Sequence, residues 1–393
     1  MIKLILKKIL KYIRRLFFKK IIVNSDFEII KIGIKNIDCL AGYYDLSPFS
    51  QCGRYLIFLG IDKKSNKSEA EVLCFDIKNP NKKPESFGKT DAWSWQLGAR
   101  LRWGENDKTL CYNVLKNNKP FYIIKDFKTK KKLNQIPSSV YDIDKSYRKI
   151  LTLNFKTLYD NRPGYGFECD DSSKGITLYD LNTKKKKLIY TLKEAKRKLP
   201  SEFKNSYDHY FNHLSWSMNG NSFIFFHIWK KDKKKFNQVL NYNLEKNSIS
   251  EVSKLNEIAS HYTWVSNSEL ILTISVKGKI NYFLVNLLSK TRKVLNSFPK
   301  NLDGHPSQNP KDKNLFVTDS YPDIFDEQSV FIVNIRNNCY KRITKFYTPE
   351  KFFGVNKCDL HPRWSKDGKM ICCDSTAFGK REIFIIKNIK SNN

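Results

Sequence analysis

Four of the six histidines in this 393-residue chain keep one register. His213 stands three residues before Trp216, His261 three before Trp264 and His361 three before Trp364. His305 stands three before Gln308, which takes the tryptophan place in its own segment. Unrelated core histidines have no reason to keep phase, so the four are expected to act as a group. Neutral imidazole and carboxylate oxygen both bind first-row divalent ions. Asp303 lies two residues before His305, and Asn356 and Asp359 lie five and two before His361. These side chains offer a mixed nitrogen and oxygen shell. The nine cysteines form no paired C-x-x-C pattern, so neither a zinc site nor a disulfide framework is expected, and a reducing compartment is. No P-loop, dinucleotide fingerprint or G-x-S-x-G elbow is present.

The elements that position the histidines repeat along the chain. Five segments share an aromatic or Pro, a polar turn, then a hydrophobic strand. Trp216-Ser217-Met218-Asn219-Gly220 leads into Phe223–Phe226, and Trp364-Ser365-Lys366-Asp367-Gly368 leads into Met370–Asp374. The others precede Tyr55–Leu59, Leu270–Ile274 and Leu315–Thr318, and weaker copies at Trp103–Cys111 and Ile143–Leu151 make seven. Asn or Asp followed by Gly suits a tight hairpin turn. Each copy is followed by further short strands at regular spacing, which predicts an all-β seven-bladed β-propeller. Phe27–Ile32 is expected to close the ring on the last blade. The shared register puts the four histidines at the start of the innermost strands, bordering the central channel.

Histidine-led blades, the Asp-Gly-His-Pro-Ser run at 303–307 and the His-Pro-Arg-Trp-Ser-Lys-Asp-Gly run at 361–368 resemble the oligogalacturonate lyase family of propellers. The resemblance spans most of residues 40–390 and is most specific in blades four to seven. It implies a manganese-type divalent ion near the channel mouth and an acidic, uronate-containing saccharide as ligand. His305 and His361 match metal-ligand histidines; Asn356 stands where the family has Gln, and Asp359 where it has a further His. His261 matches the proposed base of a β-elimination. His213 and His227 are expected to position the substrate, and Trp93 and Gln96 of the DAWSWQLG run to contact sugar. The family's substrate-binding arginine would fall near Asn237 or Gln238, where only lysines at 230–231 and 233–235 are close. His209 falls outside the register and receives no role. The loop Arg162-Pro163-Gly164-Tyr165-Gly166 reads as a plain turn, and Asp319 and Asp323 as structural turn residues.

Lysine and arginine number 71 against 39 acids, a formal charge of +32. The basic residues are spread through turns rather than interleaved with glycine and aromatics, so an anionic glycan or lipid is expected and nucleic acid is not. Residues 1–23 are expected to form a basic amphipathic helix, with residues 24–393 forming the propeller. Ile2, Ile5, Leu6, Ile9, Ile13, Leu16 and Phe17 recur at helical spacing among lysines and arginines. This pattern suits a helix lying on an anionic membrane surface through residues 1–20, on the cytoplasmic, inner face. The alternative is a non-catalytic interaction or scaffold propeller at the inner membrane in envelope-polysaccharide synthesis, since propellers host both enzymes and scaffolds.

Overall fold

Seven antiparallel sheets follow one another along the chain in the computed structural model, which describes residues 19–62 and 69–388 together with Lys11, Ile13 and Lys64. The blades occupy residues 37–90, 102–136, 142–191, 207–251, 258–294, 307–347 and 363–388. The strand Phe27–Ile32 adds to Glu382–Asn388 in antiparallel register, Ile29 opposite Ile386 and Ile32 opposite Ile383, and so completes blade seven. The expected closure is therefore present. A ring closed by both ends of the chain leaves no long open sheet edge at its seam.

The repeated tetrapeptide acts through its serine and its glycine. Ser365 Oγ accepts the Met370 N–H at 2.9 Å while its carbonyl accepts the Gly368 N–H at 2.9 Å, with Gly368 at φ +73°. Ser217 and Gly220 repeat this arrangement. Three of the repeat tryptophans tie blade to blade. Trp103 Nε1 donates to the Pro48 carbonyl, Trp264 Nε1 to Ser215 Oγ and Trp364 Nε1 to the Ser307 carbonyl, each on the preceding blade. The ties of Trp264 and Trp364 fix the inner strands of blades five and seven against their neighbours, and with them His261 and His361 three residues earlier.

Three blades depart from the regular pattern. The inner strand of blade one breaks after Ile37–Leu40 and resumes at Phe49, which bridges to Leu56. The intervening residues carry the buried Tyr43 and Tyr44. Blade three inserts residues 153–174 between its second and third strands, including the helix Phe155–Asn161 capped by Asn154. Blade six has a fifth strand, Ile21–Val23, paired with Cys339–Tyr347. This corrects the end of the expected N-terminal helix. Three consecutive β-branched residues favour a strand, and the outer edge of blade six offers their backbone partners. Residues 1–10, 12 and 14–18, the bulk of that expected helix, lie outside the described residues. Lys11 Nζ lies 2.7 Å from Asp326 on blade six. Among the described residues no helix is long and apolar enough to cross a membrane.

Candidate functional site

His213 and His261 sit in matching irregularities of two inner strands. In blade four one extra residue lies between the pairs Asn212–Phe226 and Ser215–Ile224. In blade five one lies between Ala259–Ile274 and Tyr262–Leu272. Such bulges re-aim side chains. His305 and His361 precede the short inner strands Ser307–Gln308 and Arg363–Trp364. His213 and His361 have φ of +55° and +46°. That conformation costs a non-glycine residue on the order of 1–3 kcal/mol and must be held by its surroundings. The Tyr141 hydroxyl accepts the His213 N–H at 3.0 Å, and Asp319 Oδ2 accepts the His361 N–H at 3.1 Å.

The four histidines converge. All are at most 4 % exposed. The His261 and His305 ring centroids are 4.0 Å apart, and those of His305 and His361 4.4 Å. Tyr43 packs 4.7 Å from His361 and 5.6 Å from His213, and Tyr44 lies 5.1 Å from His305. The two tyrosines thus floor the ring from inside the channel. Tyr44 is fixed there by donating to the Tyr262 carbonyl and accepting the Tyr262 N–H, both at 2.9 Å.

Carboxylates set the imidazole tautomers. Asp319 lies 2.9 Å from His305 Nδ1, so that nitrogen carries the proton and Nε2 is left as a lone pair. The Nε2 atoms of His305 and His361 are buried and have no hydrogen-bond partner among the described residues. His305, Asp359 and His361 offer ligand atoms all within 4.8 Å of one another. Two orphaned imidazole nitrogens beside a carboxylate fit a divalent first-row ion, which would supply the missing partner. Asp359 Oδ2 is 2.6 Å from Lys357 Nζ, so this ammonium neutralises the carboxylate. His261 forms a separate dyad: Asp303 Oδ1 lies 3.0 Å from His261 Nδ1 and accepts the Ser260 hydroxyl at 2.7 Å.

Burial, then the charges of Arg162 and His261, holds His213 well below the ordinary imidazole value. Burial, then His305 and Arg363, does the same to His361. His261 is lowered by burial and by His305, with Asp303 acting the other way. These rings are therefore neutral, the form that binds metal or accepts a proton.

A cationic rim stands over the ring. The Arg162 guanidinium lies 4.2 Å over the Tyr165 ring, and Lys357 Nζ 4.9 Å over that of Tyr321. Lys235, on the strand Lys234–Asn243, is exposed as a residue. The surrounding protein, with Arg162, Lys357 and Lys230, still pushes its ammonium down to about 7. The charges of Arg162 and Lys235 both help to hold His213 low. No arginine stands near Asn237 and Gln238; Arg162 comes from the insertion of blade three. The loop read as a plain turn is part of the site, and so is Asp319, read as a turn residue.

Other expected site residues lie elsewhere. His227 is 1 % exposed, pairs with His209 at 2.9 Å and packs against Trp229, apart from the four. Asn356 is exposed, closes the turn Gly354–Asn356 and lines a peripheral cavity together with Trp93. Gln96 is buried, its Nε2 donating to the Lys357 carbonyl at 2.9 Å. It braces the rim from behind.

Comparison with known proteins bears on the whole ring. No family model matches the sequence, and no curated protein matches it. A structure of oligogalacturonate lyase in complex with manganese superposes with a TM-score of 0.68, covering 95% of this chain and 98% of that one. The chain has the fold of oligogalacturonate lyase. Sequence identity to that structure is 16%. Oligogalacturonate lyase from Vibrio parahaemolyticus gives a TM-score of 0.66 at 13% identity, over 95% and 99% of the two chains. A chain of the mitotic checkpoint complex reaches 0.54 at 11% identity. Both oligogalacturonate lyase structures match almost end to end, so the resemblance read from the histidine-led blades holds for the entire seven-bladed ring.

Proposed function

We propose that the channel mouth binds a divalent ion on His305, Asp359 and His361, binds an acidic saccharide beneath the cationic rim, and cleaves it by β-elimination. The observation that carries this is the His261–Asp303 dyad, with its ring 4.0 Å from that of His305. A free base thus stands beside a ligand set for charge stabilisation. The manganese-bound lyase structure supports the choice of ion, and the lyase name supports a uronate.

His305, Asp359 and His361 would hold the divalent ion, which when bound would supply positive charge to the substrate carboxylate. Arg162 and Lys235 draw the anionic sugar into the mouth and orient it. Asp303 holds the His261 Nδ1 proton, which presents Nε2 as the accepting atom. Nε2 takes the C5 proton beside the carboxylate, the C5–H electrons form the C4–C5 double bond, and the C4–O bond breaks. The departing oxygen takes its proton from water or from the protonated His261. Tyr43 and Tyr44 close the channel below, which keeps the reacting centre at the mouth.

Incubation of the full chain with uronic-acid oligomers in manganese-containing buffer tests this. A rise in ultraviolet absorbance from the unsaturated product is expected with the wild type and none with His261→Ala. Absence of product from every uronate, with metal bound, rejects the lyase chemistry. The Lys357–Asp359 ion pair favours a second reading, because it satisfies a ligand carboxylate without an ion. On that reading the ring is a non-catalytic interaction propeller. In either case the proposal places the chain at the inner face of the membrane, on the strength of apolar residues at helical spacing among basic ones within 1–20.

A further inference from the structure

Blade six exposes apolar side chains on two adjoining loops. Ile324 lies on the hairpin that joins Leu315–Asp319 to Glu327–Asn334, and Phe353 and Val355 on the connection from blade six to blade seven. They are 59 %, 45 % and 54 % exposed. The loops are tied to each other. The Asp326 carbonyl accepts the Thr348 N–H at 2.7 Å, and Lys11 Nζ lies 2.7 Å from Asp326 and 3.8 Å from Glu350. Both loops also reach the channel mouth. Tyr321, on the same hairpin as Ile324, packs 5.9 Å from the His305 ring, and Lys357, two residues after Val355, pairs with Asp359. A lone exposed apolar side chain is ordinary, whereas three on adjoining loops beside a binding site mark a surface that meets something apolar.

The charge on this face comes from the start of the chain. Residues 1–20 hold eight lysines and arginines and no acid. Two of those cations are placed here. Lys11 bridges the two loops, and the Lys20 carbonyl accepts the Tyr347 N–H at 3.0 Å while its ammonium lies 5.4 Å from the ring of Phe378 on blade seven. Lys31 Nζ lies 4.6 Å from the same ring. The acids of the face are held by lysines: Asp326 by Lys11, Glu327 by Lys345 and Glu382 by Lys380, all three carboxylates buried. Exposed Asp323 and Glu350 stand 3.7 and 3.8 Å from Lys345 and Lys11. The surplus of cations in residues 1–20 is therefore left for an outside partner. Protein interfaces are depleted of lysine, whereas anionic headgroups attract it and the acyl boundary takes up apolar side chains. We infer that this face of blades six and seven docks on an anionic lipid bilayer, with Ile324, Phe353 and Val355 entering the interface and the channel mouth opening at the membrane. The inference rests on the membrane reading of residues 1–20 and adds the orientation that reading leaves open.

Cosedimentation of the full chain with vesicles of phosphatidylcholine and phosphatidylglycerol tests this. The wild type is expected to bind, and a triple variant carrying Ile324→Glu, Phe353→Glu and Val355→Glu to bind at least about tenfold more weakly. Leu288 is also exposed, but it lies on the hairpin after Lys279–Asn286, at the end of blade five away from the mouth. Leu288→Glu should therefore bind as the wild type does. A second measurement serves should the triple variant misfold. A polarity-sensitive fluorophore on Val355→Cys, with Cys52→Ser and Cys339→Ser removing the exposed thiols, should shift to the blue when vesicles are added. The same fluorophore on the wild-type Cys52 and Cys339, beside turns at the far end of blades one and six, should not shift. Undiminished binding of the triple variant, or a Val355 probe that stays in water, overturns the docking face while leaving residues 1–20 as the attachment. A wild type that binds no vesicle rejects the membrane reading itself and leaves the face to a protein partner.

Discussion

Asp319 reaches two site histidines at once: its carboxylate lies 2.9 Å from His305 Nδ1 and accepts the His361 backbone N–H at 3.1 Å. One side chain thereby sets the tautomer of the first ring and the left-handed backbone of the second. Asp319→Asn should lower divalent-ion affinity by about 10–100-fold, as loss of a carboxylate behind a metal-bound imidazole does elsewhere. Competition with a fluorescent chelator measures this directly. An unchanged affinity would deny Asp319 its orienting role.

His261→Ala and Asp303→Asn should divide rate from metal content. Both are expected to lower kcat by at least about 10²-fold, in keeping with loss of a positioned base. Bound manganese should stay near the wild-type level, because neither residue belongs to the His305, Asp359 and His361 group. Parallel loss of metal and rate would make His261 a ligand rather than a base.

Arg162→Ala and Lys235→Ala act on substrate capture. Each should raise KM roughly fivefold to tenfold while changing kcat little, because their attraction for the carboxylate operates before and during the reaction alike. Raising the salt concentration should weaken the wild type more than either variant. Equal salt sensitivity in all three would remove these cations from the binding path.

The histidine ring was legible because the repeat that positions it is local. A tryptophan stands three residues after three of the four histidines, and a Ser-x-Asn/Asp-Gly turn follows it in two of those strands, so the phase shows in the sequence. The site's other half depends on distant chain. Tyr43 and Tyr44 enter through a break in the inner strand of blade one, and Arg162 arrives from an insertion in blade three. Neither feature has a counterpart in other blades, so no repeat points to it; the Tyr-Tyr pair after Gly42 was the one available signal. Asp319 looks like a turn residue because it ends a strand, and only pairing of Leu315–Asp319 with its neighbours sets it behind His305. Asn356 was placed by its distance from His361, but the turn Gly354–Asn356 carries it outward. His227 was chosen for its residue type, and its position on the second strand of blade four turns it toward His209.

The His209–His227 pair gives the fold a pH dependence remote from the metal site. Burial, with His209 beside it, pushes His227 down to about 3, while His209 is lowered by burial. Both rings are neutral in the fold and protonate more readily in the unfolded chain, near pH 6.5. Stability from His227 is therefore complete above about pH 6.5 and is lost as the pH falls toward about 3, at up to about 1.4 kcal/mol per pH unit, with His209 acting in the same direction. His227→Phe should flatten the dependence of Tm on pH between pH 6 and 4. An identical slope would show that His227 is already charged in the folded protein.

The seam of the ring is a further point of failure. Ile32, buried at 3 % exposure, lies opposite Ile383 on the last strand. Ile32→Asp should cost on the order of 3 kcal/mol, because an unpaired carboxylate replaces packed methyl groups. Denaturant unfolding followed by tryptophan fluorescence reads the loss. A change under about 0.5 kcal/mol, the size of a surface substitution, would mean that Phe27–Ile32 does not hold the ring closed.

Metal stoichiometry of the purified full chain tests the central claim most directly. Elemental analysis after dialysis against manganese should find one ion per chain in the wild type, and close to none in His305→Ala or His361→Ala. A wild-type protein that is folded yet takes up no divalent ion, or variants that keep theirs, would contradict a metal centre at the channel mouth.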